Sequence, residues 1–453
     1  MKRHLSSILL LLALTCVLGL TGCGSQASET SATAQQINYT EQTIAAVDKL
    51  VNWDYSGFYG YFDKNLKDEL SQSALQAAWT DVVTRYGTFD YYTTDISLTA
   101  KDGYQIADVP CVFKRGSVTL RLTWNSSGEI CGFFITDNTS VSNSLQLAND
   151  SEVTFGSEAY PITGSLTMPE GEGPFPAVIL IHGSGATDRN EQIGPNLPFM
   201  DLAQQLSAQG IAVLRYDKRT YLYPTEMAAL DGLTVQDETI DDVVAALAFL
   251  KTKNTIQSDQ IYIAGHSLGG YLMPRIAEQT PDAAGYIMLA ASARPMEELI
   301  LEQTSYILGL EKDLDAASKE KILQQTQERV AAIQSLTADS DVPAEQLMNV
   351  PASYWLDLQN YNPLTEVQNI NKPLLFLQGA RDYQVTTTDF NLWKEAVESA
   401  PDMNATMQLY DNLNHLFMTG TGKSTPAEYQ QKGTFSTDAS DTIADFIKTC
   451  SAE

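Results

Sequence analysis

The sequence is short of histidine, cysteine and positive charge. Four histidines among 453 residues leave few imidazoles for base chemistry. They are His4 near the start, His182 in "HGSG", His266 in "GHSLGG" and His415 in "YDNLNHLF". Beyond residue 23 there are three cysteines, Cys111, Cys131 and Cys450. With 28 Lys+Arg against 56 Asp+Glu the formal net charge is −28, so nucleic acid and anionic membrane surfaces would repel the chain. The apolar run "LSSILLLLALTCVLGL" is too short for a comfortable membrane span. No metal-ligand spacing, Walker-type loop or dinucleotide fingerprint occurs, so neither a metal nor a cofactor is expected. What is present suits a large folded body: 43% hydrophobic and 19% charged residues, on a chain too long for one ordinary domain.

The first residues read as an address. A basic start, "MKRH", precedes the apolar run, and "LTGC" closes it at Cys23. This resembles the lipobox of bacterial lipoproteins, in which small residues precede a cysteine that is lipidated and becomes the new N-terminus. The resemblance implies a signal peptide and lipobox over residues 1–23. It also implies an extracytoplasmic protein held at the cell membrane by acyl chains on Cys23. Residues 24–37, opening "GSQASETSATAQQ", have the small polar composition of a flexible tether.

Residues 38–143 form a first body, helical and then strand-like. In "SQSALQAAWTDVVTRYG" the residues Ala74, Leu75, Ala78, Trp79, Val82 and Val83 recur at helical spacing, and Gly87 ends the run. "YQIADVPCVF", "SVTLRLTW" and "EICGFFI" then read as successive strands of an antiparallel meander, giving a small α+β domain. Cys111 and Cys131 fall on strands separated by a third. Two strand spacings, roughly 9–10 Å, exceed what a disulfide tolerates, so free thiols are expected. The aromatic stretch "NWDYSGFYGYF" fits core packing better than a sugar platform.

After the join "VSNSLQLAND" the second body, residues 150–453, alternates strand and helix. "FPAVILIHG", "IAVLRYD", "QIYIAGHS", "AGYIMLAAS", "KPLLFLQG" and "ATMQLYD" are continuous apolar strands with amphipathic segments between them. That pattern predicts a doubly wound, mostly parallel α/β sheet covered on both faces. Residues 293–371 interrupt it with a helical period, too long for a plain crossover, and read as a helical cap. Tyr354 and Trp355 in this cap either line a substrate site or pack the cap down.

"GHSLGG" fits G-x-S-x-G, a weak pattern alone. A buried strand enters it and a helix leaves it, which predicts a strained turn presenting the Ser267 hydroxyl above the sheet. A serine hydroxyl needs a base, and the base needs an orienting group. Asp382 follows the strand "KPLLFLQG" and His415 follows "ATMQLYD", so the order Ser267, Asp382, His415 is the one this architecture expects. "HGSG" would supply one oxyanion donor, with Ser184 preferred over Gly183 or Gly185, and Leu268 N–H the other. His182 suits a loop brace better than a base. Among Arg215, Lys218 and Arg219, an ion-pair network with Asp217 and "DRNE" is favoured over contact with an acidic substrate.

These motifs, together with "DRNEQIGPN" and "LRYDKRTY", resemble those of α/β-hydrolase family serine esterases of bacteria. The layout of the first body is similar to the small domain ahead of the hydrolase in some bacterial lipoproteins. The resemblance implies hydrolysis of carboxylic esters with small to medium acyl groups, through an acyl-enzyme on Ser267. The expected partner is a small-molecule ester. Alternatives are a serine aminopeptidase or acyl-peptide hydrolase, and an inactive ligand-binding lipoprotein.

Overall fold

The computed structural model describes residues 37–451 apart from 88, 95, 102, 114–115, 138–145, 231 and 313. Cys23 and the apolar run before it lie outside the described residues. Two compact units divide the chain, one ending at Gln146 and the other beginning at Leu147.

The first unit opens with helices Tyr39–Val51, Tyr55–Gly60, Lys64–Glu69 and Gln72–Tyr86. Asn38, Asp54, Asp63 and Ser71 each accept a backbone N–H at the start of one of them. Such caps satisfy donors that a helix start leaves without partners. The last helix turns out through Gly87 at φ 80°, a conformation that favours glycine. An antiparallel sheet follows: β1 (Phe89–Tyr92), β2 (Ser97–Lys101), β3 (Tyr104–Phe113), β4 (Gly116–Trp124) and β5 (Ile130–Asp137). Alternate residues of β3 and β4 face the helices, where Val109, Cys111, Leu120 and Trp124 join Phe58, Phe62 and Trp79 in one core. Phe58 and Phe62 meet edge to face at 5.4 Å, so the aromatic stretch packs the core, although Trp53 stays exposed. Because β4 lies between β3 and β5, Cys111 and Cys131 are free thiols on non-adjacent strands.

The second unit is built on eight strands: β6 (Asp150–Gly156), β7 (Pro161–Thr167), β8 (Phe175–Ile181), β9 (Ala212–Tyr216), β10 (Ile256–His266), β11 (Gly285–Leu289), β12 (Leu374–Gly379) and β13 (Ala405–Tyr410). Their order is β13-β12-β11-β10-β8-β9-β7-β6. The run from β13 to β9 is parallel, and β7 and β6 close the far edge antiparallel.

The buried strands divide their side chains between two faces. Ala177, Ile179 and Ile181 of β8 join Ile261 and Ile263 of β10 beneath helix Asp241–Lys251. Val178 and Leu180 join Tyr262 and Ala264 on the other face, with Phe199, Leu202 and Leu206 of helix Pro198–Ser207. Helix Thr437–Ser451 adds Ala439, Ile443 and Ile447 to that second face. Each buried Leu or Ile contributes about 1.5–3 kcal/mol, so two covered faces account for runs without polar alternation.

Between β11 and β12 the chain forms helices Met296–Leu310, Ala316–Gln334, Ala352–Gln359 and Pro363–Glu366. Tyr354, Trp355 and Leu358 are buried in the same apolar cluster as the sheet. Among the described residues no helix is long and apolar enough to cross a membrane.

Candidate active site

Ser267 sits where β10 stops and helix Leu268–Tyr271 begins. Its backbone has φ 52° and ψ −114°, a region that a side chain disfavours. Two hydrogen bonds over-determine this turn: Ser267 N–H to Leu289 O and Tyr271 N–H to Ser267 O, both 2.9 Å. Glycines permit the tightness. A Cβ on Gly265 would run into the Gly269 carbonyl, and one on Gly269 would lie 2.8 Å from the carbonyl oxygens of Ile181 and His182. The helix is interrupted at Leu272 and resumes as Met273–Gln279, with Pro274 in its opening turn. There the missing N–H costs little.

Asp382 leaves the end of β12 and is 1% exposed. Its Oδ1 accepts the N–H groups of Gln384 at 2.7 Å and Val385 at 3.1 Å. Its Oδ2 accepts the Gln378 amide at 3.2 Å and His415 Nδ1–H at 2.7 Å. His415 is carried on the turn after β13, where Asn414 Oδ1 accepts from the N–H groups of Leu416 and Met418. With Nδ1 committed as donor, the His415 ring keeps Nε2 as its basic nitrogen. His266, immediately before Ser267, brings the elbow to this turn: its ring lies 4.6 Å from that of His415, centroid to centroid. His266 Nε2–H donates to the His415 carbonyl at 2.9 Å.

The loop after β8 is held by buried charge. Gly183 N–H donates to Glu191 Oε1 at 2.6 Å, and Gly183 O accepts from Lys218 Nζ at 2.9 Å. Glu191 Oε2 lies 3.0 Å from His266 Nδ1, a charge contact outside hydrogen-bond alignment. Burial opposes ionisation of Glu191, but His266 and the Gly183 N–H outweigh it and hold the carboxyl below its usual range. Burial likewise opposes a charge on His266, and Glu191 outweighs it and raises that imidazole. His182 is different: burial, only partly countered by Glu191, pushes it down to about 4. Its neutral ring braces the loop, with Nε2 3.0 Å from the Asp188 carbonyl.

The basic residues in and around β9 are committed to the protein. Arg189 pairs with Asp217 and with Glu152, each at 2.6 Å, and Arg219 pairs with Asp242 at 2.5 Å. Arg215 pairs with Asp150 at 2.6 Å and also donates to Asn190. Lys218 lies 2.8 Å from Glu238.

Gly183 N–H is spent on Glu191, whereas Ser184 N–H and Gly185 N–H, on the exposed turn that follows, have no partner among the described residues. Leu268 N–H stands at the first position of its helix, where no carbonyl four residues back can take it. A hydroxyl, an oriented imidazole and two N–H donors are the parts that acyl transfer requires. Tyr354 and Trp355 have their polar atoms engaged inward. The Tyr354 hydroxyl donates to Glu238 at 2.5 Å and Trp355 Nε1–H to Leu347 O at 2.9 Å. Packing, rather than a pocket lining, is the role that these contacts supply. Sequence reasoning missed Glu191 and His266 as a pair. The available signal was an acid and a histidine inside two glycine-rich turns.

Residues 174–421 match the serine aminopeptidase (S33) family. The chain belongs to that family of α/β-hydrolases. Residues 45–133 of this α/β-hydrolase match a family of proteins of unknown function, DUF3887. It is 32% identical over 400 residues to esterase EstD of Thermotoga maritima, across 87% of this chain and 92% of EstD. Two solved esterase structures are also similar. That of Pyrococcus furiosus Pf2001 has 16% identity and a TM-score of 0.44, covering 68% of this chain and 93% of its own. Est1E from Butyrivibrio proteoclasticus has 18% identity and a TM-score of 0.43, covering 67% of this chain and 99% of its own.

Proposed function

We propose that this protein is a serine esterase in which Ser267, His415 and Asp382 form a catalytic triad. The observation that carries the reading is the 2.7 Å bond from His415 Nδ1 to a buried Asp382, beside a strained serine elbow. Ser267 Oγ attacks the ester carbonyl as His415 Nε2 takes its proton. Ser184 N–H and Leu268 N–H receive the negative oxygen of the tetrahedral intermediate. His415 then protonates the departing alcohol, leaving an acyl group on Ser267. Water, deprotonated by His415, releases the acid and restores the serine.

Esters are favoured over peptides because the likeness to EstD extends across 87% of the chain. Small to medium acyl groups are the substrate class we propose. The description of the S33 family supports a second reading, serine aminopeptidase activity. Hydrolysis of nitrophenyl esters of increasing acyl length by the full chain, beside Ser267→Ala and with aminoacyl nitroanilides in parallel, separates the two. Turnover of short esters that Ser267→Ala abolishes is expected. Cleavage of the anilides alone would replace the first reading with the second.

We also propose attachment to the outer face of the cell membrane through acyl chains on Cys23. The sequence "LTGC" supports it. Cys23→Ser should move the protein from the membrane to the soluble fraction, and unchanged fractionation would count against the anchor.

A further inference from the structure

Gly183 is gripped from both sides by buried charge. Glu191 takes its N–H and Lys218 its carbonyl, at 2.6 and 2.9 Å. Lys218 reaches the loop from the end of β9, the strand next to β8 in the sheet. The side chain is 2% exposed, and it pairs with the carboxylate of Glu238 at 2.8 Å. Glu238 in turn accepts the Tyr354 hydroxyl from the cap. A buried ion pair is weak evidence of a stabilising device, since desolvation offsets most of the attraction. Its position relative to the Gly183 peptide is more informative.

The Gly183 carbonyl and the Ser184 N–H belong to one peptide unit. In a planar trans peptide these two groups point in opposite directions. A side chain that holds the oxygen therefore also aims the N–H. An ammonium on the oxygen draws electron density away from nitrogen, and hydrogen bonds in series strengthen one another in this way.

We propose that Lys218 is a positioning residue for the oxyanion hole, which through the Gly183–Ser184 peptide aims and polarises the Ser184 N–H that receives negative charge from the substrate carbonyl. The inference rests on the reading of Ser267 as nucleophile and Ser184 N–H as donor. That charge is absent from the bound ester and develops on the way to the tetrahedral intermediate, so the contribution belongs in kcat and not in KM. A lysine that merely pins the cap to the loop would affect melting temperature and KM instead.

The test uses the full chain with Lys218→Gln and Lys218→Met, beside Ser267→Ala. Ester kinetics, melting temperature and inhibition by a trifluoromethyl ketone, whose adduct with serine carries the same oxyanion, are measured for each. Either folded lysine variant should lose about 10–100-fold in kcat with KM within about threefold. The ketone affinity should fall by the same factor as kcat/KM. A folded variant with wild-type kcat, or with its loss confined to KM, overturns the proposal. Failure of both variants to fold overturns it too, by making Lys218 a requirement of the fold. If Ser267→Ala retains turnover, the underlying reading fails. If Ser267→Ala is inactive while both lysine variants match wild type, only the role of Lys218 fails.

Discussion

His266 Nε2 lies 2.9 Å from the backbone carbonyl of His415. A carbonyl can only accept, so His266 must donate from this nitrogen. Its other nitrogen faces Glu191, which also holds the loop after β8. One buried imidazole thereby ties together three segments: the elbow, the His415 turn and the loop after β8.

The Glu191–His266 pair should stabilise the fold over a defined pH range. Glu191 is held below its ordinary value, so its contribution is complete above about pH 4.5 and disappears as pH falls through its lower folded value. His266 is held above its ordinary value, so its contribution is complete below about pH 6.5 and disappears as pH rises through its higher folded value. Glu191→Gln should therefore cost most, roughly 3–5 kcal/mol, between those limits. Urea unfolding of both proteins at pH 5.5 and pH 9 checks this, and an equal gap at the two values would contradict it.

His182 should make the protein acid-labile. Burial pushes it down to about 4, so between pH 6.5 and 4 the unfolded chain binds a proton that the folded one refuses. Stability then falls with falling pH, by roughly 3 kcal/mol across that range. His182→Gln should flatten this part of the unfolding profile. A slope identical to wild type would point to other groups.

Relieving the elbow should stabilise the protein while silencing it. Ser267 at φ 52° and ψ −114° carries strain that glycine does not. Ser267→Gly should raise stability by about 1 kcal/mol after the extra freedom of the unfolded chain is counted, whereas Ser267→Ala should leave it nearly unchanged. Thermal melts of the two variants decide the matter, with equal melting temperatures as the adverse result.

Asp382→Asn should lower kcat by roughly 10³–10⁴-fold without unfolding the protein. An amide facing His415 favours the tautomer with its proton on Nε2, where the base is needed. Loss of less than about tenfold in ester turnover would remove Asp382 from the proposed triad.

The parallel sheet was legible because its strands are buried on both faces and need no polar alternation, as in "FPAVILI" and "KPLLFLQG". The antiparallel pair β6 and β7 was not. "DSEVTFG" is the exposed edge strand, and "PITGSLT" beside it is mostly buried yet rich in Thr, Ser and Gly, so their mixed polarity resembles that of the join before them. Asp382 stood out through its position after a buried strand, and His415 as one of four histidines, following the half-exposed edge strand β13. The hydrogen bond between them confirms that the topology brings the two together. That Lys218, and not Arg215 or Arg219, reaches Gly183 is decided by the direction in which each side chain leaves β9 and its loop. No spacing rule distinguishes three basic residues within five positions. The helix interrupted at Leu272 explains Pro274, which looks misplaced only when the segment is read as one continuous helix.

The strand order also sets a schedule for synthesis. β8 and β10 lie mid-sheet, and β11, β12 and β13 extend it outward in the order in which a ribosome would deliver them. Ser267, at the end of β10, emerges early, while His415 waits for the turn after the outermost strand. If the proposed triad holds, a nascent chain halted before β13 would present a hydroxyl with no base to activate it. On that reading, ester cleavage in the producing cell must wait until the turn after β13 has been made.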